Sequence, residues 1–160
     1  MGFTMAEIPK PYDYDNDPDG FTRSDFDYDL DLDIYLNFAR GRFDDGDGGV
    51  SITMVVDGAL ISGTVISSKI WADGYTSKFP DPLGEVGEVI RDATTKRIDN
   101  YKALAERRDA ADLPVPPRRF IHLREGTVSF GGQSVTFDFW RIDRKKVSAW
   151  SPASYGDGGA

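Results

Sequence analysis

Two kinds of residue in this 160-residue chain could carry chemistry: a single histidine, His122, and a dense set of aspartates near the front. With no cysteine present, His122 is the one general base of the usual neutral-pH kind. Such a base needs a nucleophile to activate, and no Gly-x-Ser-x-Gly elbow occurs anywhere. His122 alternates with Ile121 and Leu123, which puts it on a strand face with Phe120 and Arg124, so a structural or surface role is expected. Asp15, Asp17, Asp19 and Gly20 match the opening half of a calcium loop. The second half fails, because Phe26 stands where a bidentate Glu is needed, Arg23 takes a ligand position and Pro18 interrupts the run. A solvated acidic segment is the simpler reading. Abundant aspartate is no sign of a preorganised glycosidase pair, and Gly84 and Gly87 lack the rest of any phosphate-loop fingerprint. The expectation is therefore no catalytic residue, no metal and no cofactor.

The basic groups cluster late, as Arg107-Arg108, then Arg118, Arg119 and Arg124, then Arg141, Arg144, Lys145 and Lys146. Phe137, Phe139, Trp140 and Trp150 lie among them. Arg118, Arg119, Arg124, Arg141, Arg144, Lys145, Lys146, Trp140 and Trp150 make up the candidate interaction surface. An aromatic and basic surface of this kind can bind RNA, while solvated strand edges are the plainer alternative. Net charge is −8 and unevenly spread. Residues 1–50 hold 13 acidic against 4 basic residues, and the remainder 14 against 15. The acidic front would repel a phosphate backbone, which disfavours nucleic acid. It could instead pair with the basic face of a second copy, giving homo-oligomers that weaken with salt.

These groups must be positioned by a small number of elements. Pro9, Pro11, Pro18 and Gly20 among the aspartates read as a flexible acidic tail over 1–30, followed by one domain over 31–155. Asp25 to Ile34 alternates like a strand, but five like charges on one face would repel. Leu30, Ile34 and Phe38 with Tyr35 also fit helical spacing, so a helix is placed at about 31–42, ending in the turn-rich run Asp44 to Gly49. Val50, Ile52, Met54 and Val56 alternate up to Asp57-Gly58, the pair a type I′ turn demands, and Ala59 to Ser67 returns. Gly63 marks a bulge, a bend or a close backbone approach. Leu83, Val86, Val89, Ile90, Ala93, Ile98, Tyr101 and Leu104 trace one helical face over about 83–108, stopped by Pro114, Pro116 and Pro117. Strands follow at Phe120–Leu123, Thr127–Phe130, Val135–Ile142 and Val147–Ser151, with a frayed glycine-rich end. The fold class expected is α+β: a strongly bent antiparallel sheet or small barrel, Sm-like among the forms, packed against one long amphipathic helix, with an acidic mobile N-terminal tail.

The size suits one core. No leader pattern stands at the front, no apolar run reaches the roughly 20 residues that span a bilayer, and the absence of cysteine suits a reducing compartment. A cytoplasmic, non-membrane setting is expected.

The stretch Ile52-Thr53-Met54-Val55-Val56-Asp57-Gly58-Ala59-Leu60-Ile61-Ser62-Gly63-Thr64-Val65-Ile66-Ser67 resembles the hairpin of the gas vesicle accessory protein U family. Phe120 to Arg124, then Trp140-Arg141 and Val147 to Gly156, form a second similar block, and Asp33 to Phe38 sits where the family has a short apolar segment. The Asp-rich front and Ser148 to Trp150 depart from the pattern. The resemblance implies a non-catalytic accessory to gas vesicles, aiding assembly or clustering through the vesicle shell or other gas vesicle proteins. Asp57-Gly58, Gly63 and Val65 are also similar to the first motif of Sm-like barrels, which leaves a binding or scaffold module as the alternative.

Overall fold

The computed structural model describes residues 11–80 and 83–153. The first ten residues of the expected tail and the glycine-rich end lie outside the described residues. α1 spans Leu30–Arg40, β1 Val50–Val56, β2 Ala59–Ile66 and α2 Ser68–Thr76. α3 spans Gly84–Ala110, β3 Phe120–Phe130, β4 Gln133–Asp143 and β5 Val147–Ser151.

The aspartate alternation resolves as a helix start. Asp29 is the N-cap of α1 and accepts from the Leu32 amide at 3.0 Å, while Asp31 and Asp33 complement the dipole in the first turn. Gly41, at φ 68°, ends it. Leu32, Leu36 and Ala39 are the apolar side chains this helix buries, against Ile52, Met54, Ile61, Val65, Ile121, Leu123 and Ile142. Each leucine contributes about 1.5–3 kcal/mol by leaving water. The stripe singled out from spacing, Leu30, Ile34 and Phe38, faces outward instead. Both stripes have helical spacing, and the sheet can cover only one. Tyr35 fixes the choice by donating to the Ser51 carbonyl at 2.6 Å and stacking on Trp150.

The hairpin forms as expected, with register Val50↔Val65 to Val56↔Ala59 and positive φ at both Asp57 and Gly58. Glu125-Gly126, expected to separate two strands, instead lies inside one long strand, where pairing with β2 shifts register between Ser62 and Thr64. Gly63 and Gly126 meet there. A Cβ on Gly63 would lie 3.3 Å from both the Arg124 carbonyl oxygen and the Gly126 Cα, and one on Gly126 would collide with the Ser62 carbonyl and the Phe137 ring. Close approach at this bulge is what both glycines permit.

The sheet order is β4-β3-β2-β1-β5, all antiparallel, with β4 and β5 as unpaired edges. The small-barrel expectation is thereby corrected: the strands twist and bulge, but β5 pairs with β1 alone and the sheet stays open. α3 is where expected, yet it rests chiefly on α2, a helix absent from the sequence reading. Trp71 and Ala72 of α2, with Ile66, form a second small core that Ile90 of α3 and Phe139 pack against. Leu83, Val86 and Val89 consequently remain exposed.

Gly126→Ala is expected to cost about 1–3 kcal/mol in urea unfolding, because backbone as well as a ring must shift. Gly84→Ala has open space around it and should be neutral or stabilising by up to about 1 kcal/mol.

Candidate functional site

The turn after α1 places Asp44 in a left-handed conformation, φ 63°, with its side chain 2 % exposed. Aspartate tolerates that conformation better than most residues. Its carboxylate accepts from the Ser68 amide at 2.9 Å and from the Ser68 hydroxyl, so it lies on the first turn of α2. Arg118, entering from the proline-rich crossing, pairs with the same carboxylate at 3.1 Å and lies over the Tyr101 ring. Ser68 Oγ is 3.2 Å from His122 Nδ1. Since the hydroxyl proton goes to Asp44, the network assigns the proton between Ser68 and His122 to Nδ1, which donates.

His122 is buried and packs at a tilt against Trp71. Burial, then the positive charges of Arg141, Arg118, Arg40 and Arg97, push its pKa down to about 3. The three groups are those of a hydrolase triad in the wrong order. Serine sits between carboxylate and imidazole and gives its proton to the carboxylate, whereas catalysis needs the imidazole between the other two. An imidazole that stays neutral down to about 3 is also poorly matched to proton transfer near neutrality. The arrangement fixes protons rather than moving them.

A cavity of about 1100 Å³ adjoins this network, between α3, the sheet and residues 21–29. Arg118, Arg119, Arg141, Arg144, Lys145 and Trp150 of the candidate surface line it together. Trp140 lines a second cavity of about 700 Å³ beside Trp71 and Val89, which Arg141 shares, whereas Arg124 and Lys146 line neither. Several of these groups already have partners within the chain. Arg144, buried, donates to Asp33 at 2.6 Å and lies over Tyr28. Arg119 pairs with Asp143, Lys146 approaches Asp57, and Trp150 donates to Asp29 at 2.8 Å.

The acidic front is not a free tail over residues 12–29. Asp17 and Asp19 clasp Arg108 of α3, at 2.6 and 2.7 Å, and the Arg108 and Asp17 side chains are wholly covered. Asp19 also takes Arg107, and Phe21 and Phe26 lie against the Arg108 guanidinium. The two aspartates that resembled calcium ligands thus hold guanidinium groups. The hydrogen bonds from Arg108 keep the Asp17 carboxyl well below the usual carboxylate range. Charge complementarity between acidic front and basic body is therefore met within one molecule. Among the described residues no group of three or more His, Cys, Asp or Glu side chains could hold a metal ion.

Asp33, Arg40, Asp44, Ser68, Arg97 and Arg108 were not singled out from sequence. Arg108 appeared as a basic residue and Asp44 as a turn residue, with no signal of burial. Only the Asp44-to-Gly49 run hinted at a tight turn, and nothing local pairs it with Ser68.

The fold and this network define an α+β domain with an open five-stranded sheet and a buried polar junction where its helices meet. The chain matches the family model described as gas vesicle protein GvpU-like over residues 33–154, and it belongs to that family. Searches of curated proteins and of solved structures found no significant match. No helix among the described residues is long and apolar enough to cross a membrane.

Two predictions follow from the buried charges. His122 has a folded-state pKa below its unfolded value of about 6.5, so the unfolded chain binds the extra proton. Its contribution should leave stability flat above about pH 7 and lower it as pH falls from there toward 3, by up to about 1.4 kcal/mol per pH unit. Urea unfolding of His122→Gln should lack that part of the slope. Asp17→Asn should lower the thermal midpoint and speed proteolysis within residues 12–29, and unchanged cleavage would contradict the Arg108 anchor.

Proposed function

We propose that this chain is a non-enzymatic accessory protein of gas vesicles, aiding their assembly or clustering by contact with vesicle proteins and with copies of itself. Family membership supports the setting. The observation that carries the mode of action is the outer stripe of α1, where Leu30, Ile34 and Phe38 are 59 %, 53 % and 76 % exposed. They recur every four residues, so they form one continuous apolar strip on a helix whose other side is already packed. Arg119, Lys145 and Lys146, exposed at the surface, and Trp140, partly exposed, remain the members of the basic and aromatic set open to a partner. Because Asp17 and Asp19 are paired with Arg107 and Arg108 of the same chain, apolar contact is a better basis for self-association than exchange of acidic segments.

Sedimentation velocity on the full chain tests this at low and high salt, together with light microscopy of purified gas vesicles. Wild-type chains should associate at both salt levels and cluster vesicles. The Ile34→Glu/Phe38→Glu variant, whose changed side chains lie outside the core, should do neither while keeping its circular dichroism spectrum. A wild-type monomer that leaves vesicles dispersed, or a variant indistinguishable from wild type, would overturn the reading.

A further inference from the structure

The guanidinium groups of Arg97, Arg118 and Arg141 come from α3, the proline-rich crossing and β4, and all three face the cavity beside His122. Their charges are unevenly matched. Arg118 has Asp44, but neither Arg97 nor Arg141 pairs with a carboxylate of the described residues. Arg97 donates to Thr94 Oγ1 at 2.7 Å, and Arg141 lies 3.7 Å from the Phe120 ring centroid with its Nε buried and unpartnered. Arg144, on the same wall and 7 % exposed, gives one nitrogen to Asp33 and has no partner for Nη2. Behind it Arg40, 3 % exposed, likewise has no partner for Nη1. Four carboxylates also line the cavity, Asp25, Asp27, Asp29 and Asp44, and none of them forms an ion pair with Arg97 or Arg141: Asp25 caps Thr22, Asp29 holds Leu32 and Trp150, and Asp44 holds Ser68 and Arg118.

Arg97 is exposed at the cavity, while Arg118 and Arg141 are half-buried; like charges gathered there repel, and the buried guanidinium nitrogens without acceptors are costly. The repulsion is relieved by an anion with several oxygens. A carboxylate brings one charge and two oxygens, whereas a phosphoryl group brings close to two charges and three terminal oxygens, enough for forks arriving from different elements. We propose that this cavity binds a phosphoryl group, held by Arg97 and Arg141 with Arg144 alongside. The same chemistry is offered by free inorganic phosphate and by a small organic phosphate monoester, and about 1100 Å³ leaves room for an organic body. This inference concerns the cavity beside His122, so it stands or falls separately from vesicle contact through α1.

The test is isothermal titration of the full chain with inorganic phosphate and, separately, with phenyl phosphate. The ring-proton resonance of His122, the single histidine, is followed in parallel. Sodium chloride at equal ionic strength is the control. Saturable binding that displaces the His122 resonance is expected, weakened about tenfold or more in Arg97→Gln and Arg141→Gln. Tighter binding of phenyl phosphate identifies an organic monoester, and equal or tighter binding of inorganic phosphate identifies the free ion. The proposal is overturned if neither compound moves the resonance beyond the chloride control, if binding occurs without moving it, or if both variants bind like wild type. Should one variant fail to fold, the other and the wild-type titration decide the matter.

Discussion

The Asp44 carboxylate is the point at which the separate parts of this protein are joined. It closes the turn after α1, receives the first amide and hydroxyl of α2, and pairs with Arg118 from the crossing that leads into β3. Through Ser68 it also sets the proton on His122, near the start of β3. A buried carboxylate without partners would be strongly destabilising, so each of these elements is constrained by the need to satisfy it. Burial first, and then the positive charges of Arg141, Arg118, Arg40 and Arg97, keep His122 neutral.

A second clasp, Arg108 with Asp17 and Asp19, acts similarly at the other end of α3. It draws the acidic front over the body and makes residues 21–29 one wall of the cavity. The negative charge concentrated in the first 50 residues thus has an internal use. Beside its charged groups the outer surface carries large apolar ones, among them the α1 stripe and Leu83, Val86 and Val89 at the start of α3. The chain belongs to the gas vesicle protein GvpU-like family, and the contact proposed for it uses the α1 stripe.

The β1–β2 hairpin was legible from the sequence because its information is local: alternation fixes the faces, and Asp57-Gly58 fixes the turn. The extents of α1 and α3 were legible for the same reason. Which face of α1 is buried was not, since Leu30-Ile34-Phe38 and Leu32-Leu36-Ala39 are equivalent stripes until Tyr35 and Trp150 hold one of them against the sheet. α2 was missed because it is short and has no long periodic face: besides the Ser67 cap it is held by Asp44, 24 residues earlier, and by packing of Trp71 and Ala72. Of the two forms expected, a bent antiparallel sheet or a small barrel, the sheet is found open, and Gly63 reports close approach to Gly126 and not closure. Of the polar junction His122 and Arg118 were named from the sequence, but not their partners Asp44 and Ser68, because the junction is assembled from segments far apart in the chain.

The measurement that bears most directly on the Asp44–Ser68–His122 junction is the nitrogen-15 spectrum of the His122 ring, recorded from about pH 5 to 8, the range in which an ordinary histidine titrates. With Ser68 donating to Asp44, Nδ1 should carry the proton, Nε2 should not, and neither shift should change across the range. A midpoint near 6.5, or a proton on Nε2, would contradict the account by showing that the imidazole is not locked into this junction.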